Sequence, residues 1–152
     1  MIGDVMKVLI DADACPVVDL AVALCRKHQI PCLLLCDTAH TMQRDGASTL
    51  VFDKGADSVD FALVKRVDSG DIVVTQDYGL ASMCLAKKAR VLHQDGWEYT
   101  EYNIPALLWS RHETRKYRAS GGRVKGPRKR TYDQDTSFQR ALDNLLQQSV
   151  QG

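Results

Sequence analysis

Asp11 and Asp13 stand one residue apart at the end of the apolar run Val8-Leu9-Ile10, and Ala14-Cys15-Pro16 follows them. In an extended chain, residues two apart point to the same side. Two carboxylates placed this way repel each other unless a proton or a cation lies between them. Carboxylate oxygens without accompanying histidines or thiolates favour hard cations, Mg²⁺ or Mn²⁺. A cation held there binds a phosphate, activates water and neutralises the leaving oxygen, which is the chemistry of phosphoryl transfer. Val73-Val74-Thr75-Gln76-Asp77 repeats the pattern, an apolar run ending in Thr75 and Asp77. A third group, Gly55-Ala56-Asp57-Ser58-Val59-Asp60, sets Asp57 and Asp60 three apart, on one side of a first helical turn. Taken alone, Asp57 reads equally well as an N-cap and Asp60 as a favourable first-turn charge.

The elements that must position these residues follow from periodicity. Residues 5–10 read as a buried strand, and Pro16 suits the first turn of a helix over 16–28 that carries Val17, Leu20, Ala21, Leu24 and Cys25. Residues 30–36 form a second buried strand, 37–46 a polar loop and 49–52 a short third strand. Ser58 or Asp57 caps a helix carrying Val59, Phe61, Ala62, Leu63, Val64 and Val67, ended by Gly70. Residues 72–75 make a fourth strand, 80–88 a helix and 91–92 a fifth strand. Such alternation with short connections implies right-handed crossovers and a parallel sheet of about five strands, covered on both faces. First and fourth strands are then neighbours across the topological switch point, where open α/β sheets gather ligands. Asp11, Asp13, Thr75 and Asp77 converge on one crevice, with Thr75 orienting water or a ligand. Asp37, Asp53 and Asp95 also close apolar stretches, on strands expected to lie further from that point.

Beyond Gly96 the pattern changes. Asn103 caps a helix with Pro105 near its start, running through Leu107, Leu108 and Trp109 into a basic stretch. Residues 119–130 contain Gly121, Gly122, Gly126 and Pro127 and read as a loop. Asp135 or Thr136 starts a last helix, over 135–148, whose apolar face is Phe138, Leu142, Leu145 and Leu146. That face must be buried, so the basic loop is an excursion from a single domain over residues 1–152.

Charge is unevenly spread although the net is only +1. Residues 1–110 carry 10 Lys/Arg against 15 Asp/Glu, and residues 111–152 carry 10 against 4. Arg111, Arg115, Lys116, Arg118, Arg123, Lys125, Arg128, Lys129 and Arg130 face only Glu113. An acidic body joined to a basic segment suits a metal site beside a polyanion track, because the acidic crevice alone would repel its substrate. Five cysteines without paired zinc spacing read as reduced, mostly core residues. No apolar run reaches membrane-spanning length and no secretion signal opens the chain, so the expectation is a cytoplasmic protein.

The Asp11-Ala12-Asp13-Ala14-Cys15-Pro16 signature, the Gly55 to Asp60 segment, Gly70-Asp71-Ile72-Val73-Val74-Thr75-Gln76-Asp77 and the late Gly121-Gly122-Arg123 with Gly126-Pro127 resemble the bacterial YaiI/YqxD family over almost the whole chain. That family is grouped with PIN-like domains, metal-dependent ribonucleases with a parallel sheet and an acidic pocket. The resemblance implies a three-layer α/β fold with a C-terminal helical extension. It also implies Asp11 and Asp77 as strand-end acids, and Asp57 or Asp60 as the acid on the intervening helix. PIN nucleases often carry glutamate at that helical place, where this chain has aspartate. The reading is a divalent-metal-dependent ribonuclease that holds RNA through the basic residues between 111 and 130.

Three rivals share parts of this pattern. A haloacid-dehalogenase-type phosphatase also begins with Asp-x-Asp, the first Asp as nucleophile, with Thr75 and Lys87 or Lys88 as later motifs. It wants a hydroxyl where Cys15 stands, and its later acidic motif is missing. A phospho-acceptor receiver would use Asp53 and Thr75 but needs a lysine where His93 stands. A non-catalytic metal- and RNA-binding protein differs only in whether the pocket turns over.

Overall fold

The computed structural model describes residues 5–53, 58–122 and 129–151. Its apolar runs become strands β1 (Val8–Asp11), β2 (Cys32–Asp37), β3 (Ser48–Phe52), β4 (Ile72–Val74), β5 (Arg90–Leu92) and β6 (Glu98–Tyr99). Between and after them lie helices α1 (Val18–Lys27), α2 (Ser58–Arg66), α3 (Tyr78–Ala86), α4 (Ile104–Ala119) and α5 (Tyr132–Gln151). The sheet runs β3-β2-β1-β4-β5-β6. Its first five strands are parallel, and β6 returns antiparallel to β5. One strand is therefore added to the expected five. β6 pairs through two residues and lacks the apolar run that reveals a buried strand.

Alternation along β1 sorts the core into two layers. Val8 and Ile10 face a cluster with Val18, Val22 and Cys25 of α1 and Phe138, Leu142 and Leu146 of α5. Leu9 faces the other side, among Leu63 of α2, Leu80 and Cys84 of α3, Tyr99 and Ile104. Both faces of a parallel sheet are covered, giving a three-layer α/β arrangement with a C-terminal helix. Among the described residues no helix is long and apolar enough to cross a membrane.

Several boundaries differ from expectation for local reasons. α5 starts at Tyr132 because Thr131 and Gln134 form a capping box. The Thr131 amide donates to Gln134 Oε1 at 2.8 Å, and the Gln134 amide donates to Thr131 Oγ1 at 3.4 Å. Asn103 does occupy the N-cap position of α4, but its side chain does not cap the helix. Its Oδ1 accepts from the Thr100 amide and its Nδ2 donates to the Glu98 carbonyl. α3 starts at Tyr78, ahead of the expected Leu80, because Asp77 is its N-cap.

The two ends of the sheet are tied differently. At the amino end, Asp71 is 2% exposed, and its carboxylate accepts from the Lys7 amide, Lys7 Nζ and the Asp68 amide. At the other end, Gly96 takes φ +94° in the β5–β6 turn and rests directly on the Ser137 backbone of α5.

Candidate functional site

Strand order reverses between β1 and β4, and the acids gather at the carboxyl ends of these two strands. Asp11 is the last residue of β1. Ala14, at φ 56°, turns the chain immediately after Asp13, a left-handed conformation that costs a non-glycine residue roughly 1–2 kcal/mol. Asp77 follows β4 by three residues. Its Oδ1 accepts from the amides of Gly79 and Leu80, so the same carboxylate caps α3 and faces the crevice. Asp11, Asp13, Gln76, Asp77 and Tyr78 line one open cleft of about 460 Å³.

Thr75 lies beneath the cleft, 2% exposed. Its hydroxyl donates to Asp11 Oδ2 at 2.9 Å and accepts from the Asp77 amide at 3.0 Å. It therefore ties the Asp11 carboxylate to the backbone of Asp77 and has almost no surface of its own. Burial first, and then the charges of Asp60, Asp13 and Asp77, push the Asp11 carboxyl up to about 7 against the pull of the Thr75 hydrogen bond. Asp60, in the first turn of α2, acts on Asp11 through its charge but is not among the residues that line the cleft. Asp57 lies outside the described residues.

Sequence reasoning passed over two neighbours of Asp13. The β1–β2 register sets Asp11 opposite Leu35, which brings Asp13 level with Asp37. The Asp37 amide donates to the Asp13 carboxylate at 3.2 and 3.3 Å, and His40 Nδ1 meets Asp37 Oδ1 at 2.8 Å and Asp13 Oδ1 at 3.6 Å. The His40 hydrogen bond and the Ala39 amide hold the Asp37 carboxyl below its usual range. Ligand atoms of Asp13, Asp37 and His40 all lie within 4.8 Å of one another. The strand-end signal that singled out Asp11 was present at Asp37 too. The expectation that its strand lies further from the switch point fails because β2 is the immediate neighbour of β1.

The basic residues divide into three groups. Arg115, Lys116 and Arg118 project from α4 into solvent and Lys129 is exposed, whereas only the backbone of Arg111 is described. Arg130 is engaged within the fold: its guanidinium meets Asp95 Oδ1 at 2.7 Å, Asp135 Oδ1 at 2.5 Å and the Gln94 carbonyl at 2.6 Å. Arg123, Lys125 and Arg128 lie outside the described residues, as does half of the 119–130 loop, residues 123–128. A second groove of about 420 Å³ runs between α3 and α4, lined by Tyr78, Leu107, Ser110, Thr114, Arg115 and Arg118.

Other residues weighed from sequence fall elsewhere. Lys87 Nζ donates to the Val64 carbonyl, away from the carboxylates that a dehalogenase-type lysine would serve. Asp53 follows the edge strand β3, two strands from β1, where a receiver's acceptor would not stand. Burial pushes the Cys15 thiol up to about 11, which leaves it protonated and a poor nucleophile at neutral pH. Trp97 stacks on His93 at 4.3 Å and packs edge-on against Tyr99, while Tyr102 and Trp109 stand in solvent. The Tyr99 hydroxyl is buried without a hydrogen-bond partner, and the charges of Asp77, Asp95 and Asp11 add to burial in raising its pKa.

A model of the family described as "Uncharacterized BCR, YaiI/YqxD family" matches residues 9–148. A UPF0178 protein of Exiguobacterium sibiricum is 50% identical over 141 residues, covering 93% of this chain and 96% of its own. UPF0178 proteins of Ruminiclostridium cellulolyticum and Clostridium acetobutylicum are 45% and 44% identical over 148 and 143 residues, each covering more than nine-tenths of both chains. No solved structure gives a significant match. The chain belongs to the YaiI/YqxD family.

Proposed function

We propose that this member of the YaiI/YqxD family is a divalent-cation-dependent phosphodiesterase acting on RNA, in the manner of PIN-like nucleases. The observation that carries the reading is the crowding of Asp13, Asp60 and Asp77 around a half-buried Asp11 whose carboxyl is pushed up to about 7. Repulsion of that kind is relieved by a proton or by a cation, and an all-carboxylate donor set fits Mg²⁺ or Mn²⁺. Asp11, Asp13 and Asp77 would hold the ion, with Asp60 beside them. When bound, the cation supplies a water of lowered pKa and neutralises charge on the phosphate. The chain's own part is positional: Thr75 sets the rotamer of Asp11, and the α3 cap sets that of Asp77. Exposed cations of α4 would bring the polyanion to an otherwise repulsive cleft.

The test pairs Mn²⁺ calorimetry with cleavage assays on Asp11→Asn/Asp77→Asn. The expected outcome is Mn²⁺ binding and metal-dependent cleavage of RNA by the wild type, with both lost in the variant. Unchanged Mn²⁺ affinity in the variant would remove the metal site. Hydrolysis of small phosphate monoesters with RNA left intact would transfer the cleft to a phosphatase.

A further inference from the structure

We propose that the groove between α3 and α4 is the binding track of a single RNA strand, with Tyr78 as its base-stacking platform and Arg115 and Arg118 as its phosphate contacts. This rests on the RNA reading of the acidic cleft and names the form of the substrate. Tyr78 lines both the carboxylate cleft and the groove, so the two openings share one aromatic residue. The ring is half-buried and held edge-on by Tyr99, with centroids 6.0 Å apart and planes at 60°. A base stacking there meets a surface already fixed, which lowers the entropy lost on binding.

Along α4, Leu107, Ser110, Thr114 and Arg118 recur at three- and four-residue intervals, forming one stripe along the groove. From Leu107 to Arg118 this stripe is about 16 Å long at the α-helical rise. Its far end carries the two arginines, both exposed and without a carboxylate partner among the described residues. The order along the track is carboxylates, aromatic ring, then guanidinium groups. That sequence suits a strand whose bases are splayed out for stacking, with its backbone passing from the arginines to the acids. A duplex keeps its bases in its own stack and offers nothing to Tyr78.

Fluorescence anisotropy in EDTA tests this, with a labelled oligouridylate and a blunt-ended RNA duplex as probes. The single strand is expected to bind at least tenfold tighter than the duplex. Arg115→Ala/Arg118→Ala should weaken it about tenfold and reduce the salt slope by about 1.4, because two phosphates lose their partners. Tyr78→Ala should weaken binding roughly 5- to 150-fold with the slope unchanged, and Tyr78→Phe should restore it. Thermal unfolding of each variant identifies any that fail to fold, and Tyr78→Leu, which keeps apolar bulk without an aromatic face, carries the stacking test in that event with the same expected loss. Equal affinity for the duplex, or wild-type affinity in both the tyrosine-to-alanine and arginine variants, overturns the track. Since EDTA removes any cation, failure of the metal reading would show only in the Mn²⁺ titration and would leave these results standing.

Discussion

At the scale of single residues, the energetic outlier is Asp11. Its carboxyl ionises near 7 in the folded chain and near 4 in the unfolded one, so between those values the native state binds the extra proton. Stability contributed by this group is therefore full below about pH 4 and falls as pH rises toward 7. Asp11→Asn keeps the shape and an acceptor for the Thr75 hydroxyl but carries no charge at any pH. Urea unfolding without divalent ions, at pH 5 and pH 8, should show the variant gaining on the wild type at the higher value. The upper bound on that gain is on the order of 3 kcal/mol, because only about two pH units of the rise from 3.8 to about 7 lie above pH 5. Asp37, Asp68 and Asp143 have lowered values and slope the other way, but they are common to both proteins and cancel in the difference. Parallel stability curves would mean that Asp11 is ionised at neutral pH without help.

At the scale of elements, the β5–β6 turn shows how closely the sheet edge is fitted to α5. A Cβ added to Gly96 would sit 2.6 Å from the Ser137 carbonyl, at a backbone φ of +94°. Gly70 has a similar φ of +89° but open space around it. Gly70→Ala should cost about 1–2 kcal/mol of left-handed strain, and Gly96→Ala about 1–3 kcal/mol more for the clash with backbone. Equal costs in urea unfolding would show that α5 yields freely to the turn. Such contacts explain what was legible in the sequence and what was not. β1, β2 and β4 are buried on both faces, so continuous apolar runs announced them, and with them the strand ends bearing Asp11 and Asp77. β6 pairs through two residues and buries only Tyr99, too short a stretch to show a hydrophobic period. Asp77 was read as a site residue but not as a cap, because the first turn of α3, Tyr78-Gly79, carries no helical signal. Asp37 and His40 reach Asp13 through strand register, a pairing that no local pattern encodes.

At the scale of the whole molecule, the charge asymmetry of the chain becomes a spatial arrangement. The acids close the β1–β4 end of the sheet, and the arginines of α4 lie along the adjoining groove. A polyanion drawn by α4 is opposed by the cleft at its other end, unless that cleft carries a cation. On the proposed reading, RNA affinity and cation binding are linked, each raising the other by the same factor. Asp11→Asn/Asp77→Asn removes two negative charges while asparagine remains a competent N-cap for α3, so the fold should stand. In EDTA this variant should bind an oligouridylate roughly two- to tenfold tighter than the wild type, a modest gain because salt screens charges beyond about 8 Å. Saturating Mn²⁺ should bring the wild type up to the level of the variant and leave the variant unmoved, with anisotropy of a cleavage-resistant phosphorothioate oligouridylate as the readout for both. A variant that binds no tighter in EDTA would place the RNA outside the field of the cleft. A wild type indifferent to Mn²⁺ would break the linkage that the juxtaposition of acidic cleft and basic groove requires.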